Sequence, residues 1–144
     1  MNYFKIFILF LLISLTGCKN NIITDPYEEI SGNYKSTIFT EPGANDAPVD
    51  IQAAGGYLMI TLDNSADFTA ELYIPTITGY YNEVHNFYKG VYTLKDSLIK
   101  FSAVGFFVNE LKWDRENDEL KSVEVPPRGD AFNIVLHKYF QGLL

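Results

Sequence analysis

Short segments in which apolar and polar residues alternate, each followed by turn residues, place the strongest constraint on the fold of this chain. The clearest pair is residues 57–62 and 68–74, which flank the turn sequence DNSAD. Alternation with a period of two is typical of a half-buried strand. The pattern predicts a β-hairpin whose second strand buries Phe68, Ala70, Leu72 and Ile74.

The same arrangement recurs towards the C-terminus. The segment GVYTLKDSLIKFSA predicts a hairpin around KDS with inward residues Tyr92, Leu94, Ile99, Phe101 and Ala103. A third hairpin is predicted around DREND, with inward residues Leu111, Trp113, Leu120, Val123 and Val125. The last strand, in DAFNIVLHKYF, alternates Phe132, Ile134 and Leu136 with Asn133, Val135 and His137. No convincing amphipathic helix follows residue 17.

These segments predict an all-β fold of roughly eight or nine strands, spaced by about ten residues. Short turns between successive hairpins favour an antiparallel up-and-down (meander) barrel of about eight strands, and a β-sandwich is the alternative. An eight-stranded barrel is either filled by side chains or holds one small ligand. Small inward residues would leave a cavity, whereas phenylalanines would fill it: Ala53, Ala70 and Ala103 against Phe68, Phe101, Phe106 and Phe132.

The N-terminus has the layout of a secretory signal, with Lys5, an apolar run over residues 6–13, and small residues after it. The run is too short to span a bilayer as a helix, which takes about 20 apolar residues. The segment Leu15-Thr16-Gly17-Cys18 resembles the lipobox of bacterial lipoproteins, in which the Cys is acylated and becomes the new N-terminus. Cys18 is the only cysteine, so no internal disulfide is expected.

The lipobox implies a chain in three parts: a signal peptide over 1–17, a lipidated N-terminus and flexible tether over 18–29, and one β-barrel domain over 30–144. Acyl chains on Cys18 would hold the protein on a membrane of the cell envelope. In lipoproteins of diderm bacteria, Lys19 in place of Asp would favour the outer membrane. The net charge of −7 argues against a nucleic-acid partner.

The domain resembles the small lipocalin-like lipoproteins of bacteria. The resemblance rests on Gly32-Asn33-Tyr34, on the hairpin GVYTLKDSLIKF and on the closing strand AFNIVLHK. Lipocalins proper carry Trp at the position of Tyr34. The resemblance implies a barrel that binds a small hydrophobic molecule, or a barrel used as a rigid scaffold.

The stretch GYYNEVHNFYKG is too dense in aromatic residues to alternate as a strand, and Pro75 and Gly79 precede or begin it. It is therefore predicted as a loop that lies partly at the barrel mouth. Tyrosine offers an apolar body with a polar tip, which suits a ligand or partner rim. The candidate rim residues are Tyr80, Tyr81, His85, Phe87 and Tyr88. The segment EPGANDAPVD is a second candidate, as a lid or recognition loop.

No sequence motif points to an enzyme, a metal or a cofactor. His85 has only Glu83 near it in sequence, His137 is expected on the surface, and the carboxylates of DREND are expected in a solvated turn. Two functional hypotheses follow. One is a membrane-anchored, non-enzymatic lipoprotein that binds a small hydrophobic ligand inside the barrel. The alternative is an interaction, inhibitor or envelope-assembly lipoprotein with a filled barrel that acts through its loops.

Overall fold

The computed structural model describes residues 25–41, 48–123 and 132–140. One helix and nine strands form in this part of the chain. In chain order they are α1 (Pro26–Ile30), β1 (Gly32–Glu41), β2 (Val49–Asp50), β3 (Tyr57–Leu62), β4 (Asp67–Ile74), β5 (Val84–Lys95), β6 (Leu98–Ser102), β7 (Glu110–Asp114), β8 (Glu119–Ser122) and β9 (Asn133–Tyr139).

The strands form one antiparallel sheet that closes on itself. Neighbours follow the order β2-β1-β3-β4-β5-β6-β7-β8-β9, and β1 also pairs with β9. Eight strands therefore make a closed up-and-down barrel, and β2 is an additional two-residue strand on β1. The prediction of an all-β meander barrel of about eight strands is confirmed, and the alternative of a β-sandwich is not adopted.

A β-bulge allows the sheet to close. The ladder between β1 and β9 runs from Asn33↔Tyr139 to Thr40↔Asn133, and its register shifts between Ser36 and Ile38. The shift turns Ile38 outward, where it is 42% exposed, and returns Phe39 to the core. A bulge of this kind bends one strand and increases its local twist, which is what a closing strand requires.

The hairpin predicted around DNSAD is confirmed, with Leu62 paired to Phe68 and Tyr57 paired to Tyr73. The Asp63 carboxylate organises the turn because its Oδ1 accepts bonds from the backbone N–H groups of Ser65 (2.9 Å) and Asp67 (3.0 Å). Hydrogen bonding by Ser65 and Asp67 lowers the pKa of Asp63.

The hairpins around KDS and DREND are also confirmed, as β5–β6 and β7–β8. The last predicted strand is β9. One detail differs from the sequence pattern, because β8 ends at Ser122, before Val123. The Ser122 hydroxyl there accepts a bond from the Ile134 N–H at 2.6 Å. Val125 lies outside the described residues.

The barrel interior is packed with apolar side chains from every long strand. Tyr34, Phe39, Leu58, Ile99, Leu111, Leu120 and Leu136 are each at most 1% exposed. Of the alanines predicted to leave room, Ala70 is buried, Ala103 is half-buried, and Ala53 is exposed in the turn before β3. The prediction that Ala53 faces inward is wrong because β2 ends at Asp50 and residues 51–55 form a turn, in which Ile51 is buried and Ala53 is exposed.

One end of the barrel, here the closed end, is covered by α1 and carries the short β3–β4, β5–β6 and β7–β8 turns. Asp25 begins the helix by accepting a bond from the Tyr27 N–H, and Pro26 occupies the first turn. The residues predicted as a tether over 18–29 therefore belong to the folded domain from Asp25 onward. The dipeptide Asp25-Pro26 suits a linker as well as a helix start, and here it begins a helix.

Several contacts hold α1 on the barrel, among them the bond from the Leu94 N–H to the Tyr27 hydroxyl at 3.1 Å. The Tyr34 hydroxyl donates to the Ile30 carbonyl at 2.6 Å, and the Lys138 Nζ donates to the Glu29 carbonyl at 2.9 Å. Arg115, in the β7–β8 turn, pairs with Glu29 at 3.0 Å. Burial raises the pKa of Tyr34 well above its usual range, so this hydroxyl stays a donor at every physiological pH.

Replacing Gly90 with alanine should destabilise the barrel. An added Cβ would lie 2.7 Å from the Ala103 Cβ and 2.9 Å from the Phe68 ring, closer than atoms pack without displacement. We expect Gly90→Ala to lower the free energy of unfolding by about 1–3 kcal/mol, the usual cost of overpacking, as measured by urea denaturation. Thr93→Ala, at an exposed position of the same strand, is the matched control and should stay within about 0.5 kcal/mol. Equal stability of the two variants would contradict the close approach of β5 and Phe68.

Candidate functional site

A hydrogen-bonded group of three polar side chains crosses the outer face of three neighbouring strands. Glu71 on β4 accepts a bond from the Tyr57 hydroxyl on β3 at 2.7 Å. On the other side, His85 Nε2 on β5 lies 2.8 Å from the same carboxylate oxygen, Oε1. The second oxygen of Glu71, Oε2, takes part in neither bond. The strand register produces this group, since Glu71 lies opposite Phe87 and diagonal to Tyr57 and His85.

The hydrogen bonds set the charge state of this group. The bond from His85, followed by the bond from Tyr57, lowers the pKa of Glu71. The same carboxylate raises the pKa of the Tyr57 hydroxyl. Glu71 is therefore an anion at neutral pH whose Oε1 is held by both neighbours.

Aromatic rings extend the group into a continuous row. Ring centroids are 5.6 Å apart for Tyr57 and Tyr73, 5.6 Å for Tyr73 and His85, and 4.9 Å for His85 and Phe87. Phe87, at the end of the row, is 70% exposed. Aromatic residues are enriched at protein interfaces, which makes Phe87 a candidate contact residue.

A groove of about 490 Å³ lies beside this row, on the outside of the barrel. Asn33 and Tyr139 flank it on the side of β1 and β9, and Phe87 and Lys89 flank it on the side of β5. Its floor consists of side chains from β3 and β4: Met59, Thr61, Thr69 and Glu71. The volume falls within the range of ligand pockets, about 300–1,000 Å³. Aromatic, amide, hydroxyl and charged groups thus converge on one concave surface.

The five predicted rim residues do not form one rim. Tyr80 lies in the β4–β5 loop and is 52% exposed, and Tyr81 closes that loop through a bridge to Ile77. His85 and Phe87 project from the outer face of β5, whereas Tyr88 turns inward and contacts Phe106.

The prediction that this stretch cannot alternate is wrong from Val84 onward. Residues 84–95 form the longest strand. All of β4 pairs with the first eight residues of this strand, from Val84 to Val91. The aromatic density instead reflects side chains on both faces. The candidate lid EPGANDAPVD lies mostly outside the described residues, apart from Glu41 and residues 48–50.

The barrel interior offers few exposed surfaces to a ligand. A side chain that lined a water-accessible cavity would retain exposed area, yet the inward residues in the middle of the strands retain almost none. Phe68 and Phe106 are at most 7% exposed, as expected for a filled barrel. Phe101, Phe107 and Phe132 are half-buried against the core, near the end where the β4–β5 and β6–β7 loops lie, here the loop end.

The other polar residues considered as site candidates, His137 and the carboxylates of DREND, make hydrogen bonds or ion pairs on the surface. His137 is exposed, as predicted, and its Nε2 lies 2.7 Å from Glu119 Oε1. In the DREND turn, bonds from Lys121 and Asn117 lower the pKa of Asp114 to about 2. Within residues 25–41, 48–123 and 132–140, no three His, Cys, Asp or Glu side chains are grouped to hold a metal ion.

The fold defines the class of protein only to the level of a closed, antiparallel, eight-stranded barrel, consistent with a lipocalin-like up-and-down barrel. Comparisons with family models, curated proteins and solved structures found no match. No helix in the described part of the chain is long and apolar enough to cross a membrane.

Sequence reasoning missed Tyr57, Glu71 and Tyr73 as site residues. A signal for part of the group was present, since the five-residue DNSAD turn fixes which residues of β3 and β4 lie opposite each other. The pairing of His85 with this group was not readable, because residues 75–83 separate β4 from β5 and do not fix a register.

Replacing Glu71 should change how stability depends on pH. Its pKa is lower in the folded state than its ordinary value of 4.5, so its stabilising contribution is complete above that value and disappears as the pH falls through the folded pKa. We expect Glu71→Gln to be less stable than wild type at pH 6, with the difference shrinking towards pH 3. Urea denaturation across this range measures it. A stability difference independent of pH would show that the Glu71 charge contributes nothing.

Proposed function

We propose that this chain is a membrane-anchored bacterial lipoprotein of the cell envelope, and that it binds a partner on the outside of a filled barrel without catalysing a reaction. The observation that carries the proposal is the contrast between the two faces of the sheet. The side chains of the inner face pack against one another. The outer face carries exposed Phe87 beside a groove and the hydrogen-bonded Glu71 carboxylate. This contrast favours the interaction hypothesis over binding inside the barrel.

The proposed anchor is Cys18, in the lipobox-like segment Leu15-Thr16-Gly17-Cys18. The folded domain begins at Asp25, and the chain enters it at the closed end, beneath α1. Six residues, 19–24, separate the two positions, and the seven Cα–Cα steps span at most about 25 Å when extended. A barrel tethered in this way would direct its closed end to the membrane and its loop end, with Phe87, to the opposite side.

Acid–base catalysis is a poor fit to the residues of the groove. A general base works best with a pKa near the operating pH. The bonds from His85 and Tyr57 move the pKa of Glu71 in the opposite direction, below its ordinary value. The arrangement suits an anion that accepts hydrogen bonds from a bound partner.

A second candidate is a small hydrophobic ligand held at the loop end. It is favoured by the half-buried rings there, Tyr88, Phe101, Phe107 and Phe132, of which Phe107 and Phe132 meet edge to face with 4.8 Å between their ring centroids. Such a ligand would contact the upper layer of the barrel and leave the packed middle unchanged.

The anchoring proposal predicts the effect of Cys18→Ser. We expect the variant to lose acylation and to remain as precursor or leave the membrane fraction, because a serine hydroxyl cannot receive the thioether-linked lipid. Fractionation of cells and mass spectrometry of the product measure both effects. Thr16→Ser, which keeps a small residue in the lipobox-like segment, is the control. A Cys18→Ser protein that stays quantitatively on the membrane after cleavage would refute the anchor.

The filled barrel predicts a protein without an internal ligand. Native mass spectrometry of the chain from residue 19 onward, purified without detergent, should give the mass of the polypeptide alone. Titration with a fluorescent fatty acid should give no saturable signal, since the inward side chains in the middle of the barrel are buried against one another. Bound mass released on activation, or saturable fatty-acid binding, would favour the second candidate instead.

A further inference from the structure

Strand β5 is longer than its neighbour β6, and this difference leaves one of its edges unpaired. β4 pairs with β5 from Val84 to Val91, whereas β6 pairs with β5 only from Val91 to Lys95. The position opposite Lys89 would fall at Val104, which is fully exposed in the β6–β7 loop. Residues 84–90 therefore have a strand on one side only within the described part of the chain.

The hydrogen-bond phase identifies which residues face the open side. Tyr92 N–H donates to the Ala66 carbonyl at 2.8 Å, so the even-numbered residues of β5 bond towards β4. Phe101 N–H donates to the Asn109 carbonyl at 2.9 Å, so the odd-numbered residues of β6 bond towards β7 and its even-numbered residues towards β5. Both bonds give the same result. The backbone N–H and C=O groups of His85, Phe87 and Lys89 point away from β4, to the side where β6 is missing.

We propose that this edge of β5 is a docking site for an extended segment of another protein, which binds by adding a strand. The inference rests on the proposed function and specifies the kind of partner. Backbone donors and acceptors that no described strand pairs, in register over about 13 Å, are suited to bind another extended backbone. An exposed edge is a template for pairing unless the protein protects it. Of the usual protecting features, this edge has one lysine and no proline.

The side chains around the edge define the chemistry of the partner segment. On the outer face, Phe87 is 70% exposed and favours an aromatic or β-branched neighbour on an added strand. Lys89, also exposed, favours an acidic neighbour two residues along the same face. The partner segment is therefore extended, with an apolar residue opposite Phe87 and an acidic residue opposite Lys89.

A second copy of this chain fits the edge poorly. In the symmetric antiparallel register centred on Phe87, Lys89 of one copy would lie opposite His85 of the other, and no carboxylate of the edge would face Lys89. The net charge of −7 on each copy adds long-range repulsion. The occupant is therefore a different protein, and self-association is an outcome that the experiments distinguish.

Hydrogen exchange of the full mature chain tests the free edge without any ligand. The amide protons of His85, Phe87 and Lys89 should exchange fast, and those of Asn86, Tyr88 and Gly90 should be protected by β4. The expected contrast is at least 100-fold at pH 7, measured by NMR. Uniform protection along residues 85–90, or a stable dimer in sedimentation at the NMR concentration, would overturn the proposal.

Strand addition is tested with a phage-displayed library of random nine-residue peptides, selected on the full mature chain and followed by synthetic peptides. Phe87→Pro removes one edge N–H and obstructs an added strand, but it leaves the β4 bonds of the even-numbered residues in place. We expect it to weaken peptide binding at least tenfold. Phe87→Ala is the matched control, which loses the ring and keeps the edge, and should weaken binding less. Lys89→Pro repeats the test if Phe87→Pro proves unstable to urea.

Backbone methylation of the peptide gives a readout that side-chain contacts would not move. N-methylation at every second residue should abolish binding in one phase and leave it nearly unchanged in the other. Peptides that bind wild type and Phe87→Pro equally, or that tolerate methylation in both phases, would overturn strand addition. So would a selection yielding no peptide tighter than about 100 µM. None of these results bears on acylation of Cys18 or on whether the filled barrel holds a ligand. Failure of this inference is therefore separable from failure of the proposed function.

Discussion

The pairing of β1 with β9 is the constraint on which the rest of the molecule depends. It joins the first and last long strands of the sheet and turns an open meander into a barrel. Closure removes two sheet edges and gives the inner face a common centre in which Phe39, Ile134 and Leu136 are buried. Ser36, beside the bulge, turns its hydroxyl inward. The hydroxyl donates to Gln52 Oε1 and accepts a bond from the Leu58 N–H. A polar residue in the core is thus paired on both sides, as buried polar groups must be.

Closure also separates the roles of the two faces. Inside, the side chains are chosen for volume, and outside, the same strands carry hydroxyl, carboxylate, amide and aromatic groups. Where β5 extends past β6, the inward side chains Val84 and Tyr88 are only partly buried, and Asn86 is exposed although it belongs to the inward series. The exposed aromatic ring and the unpaired backbone therefore have one origin, the unequal lengths of adjacent strands.

Much of the fold could be predicted from the sequence, because local signals determine hairpins. The turns DNSAD, KDS and DREND each fixed a strand pair, and the period of two identified Phe68, Leu72, Ile134 and Leu136 as core residues. Signals failed where one residue type serves two purposes. Asp25 and Pro26 begin a helix but read equally well as a linker, and the aromatics of residues 80–88 hid a strand because both of its faces are aromatic.

The candidate site was harder to predict, because it depends on register between strands that are distant in sequence. Tyr57, Glu71 and His85 meet only when β3, β4 and β5 align, and the nine residues between β4 and β5 leave that alignment to tertiary packing. The length of β6, which creates the open edge, is likewise set by where Phe106 and Val108 return to the core.

The two faces of the sheet differ in how much a substitution costs in stability. Phe87 and Lys89 are exposed and contribute little to the packed core, so substitutions at the proposed docking edge should have a small cost in folding. Core residues such as Tyr34 and Leu120 carry the opposite constraint. On the proposed docking edge, specificity could therefore change through one short stretch of one strand without repacking the barrel beneath it.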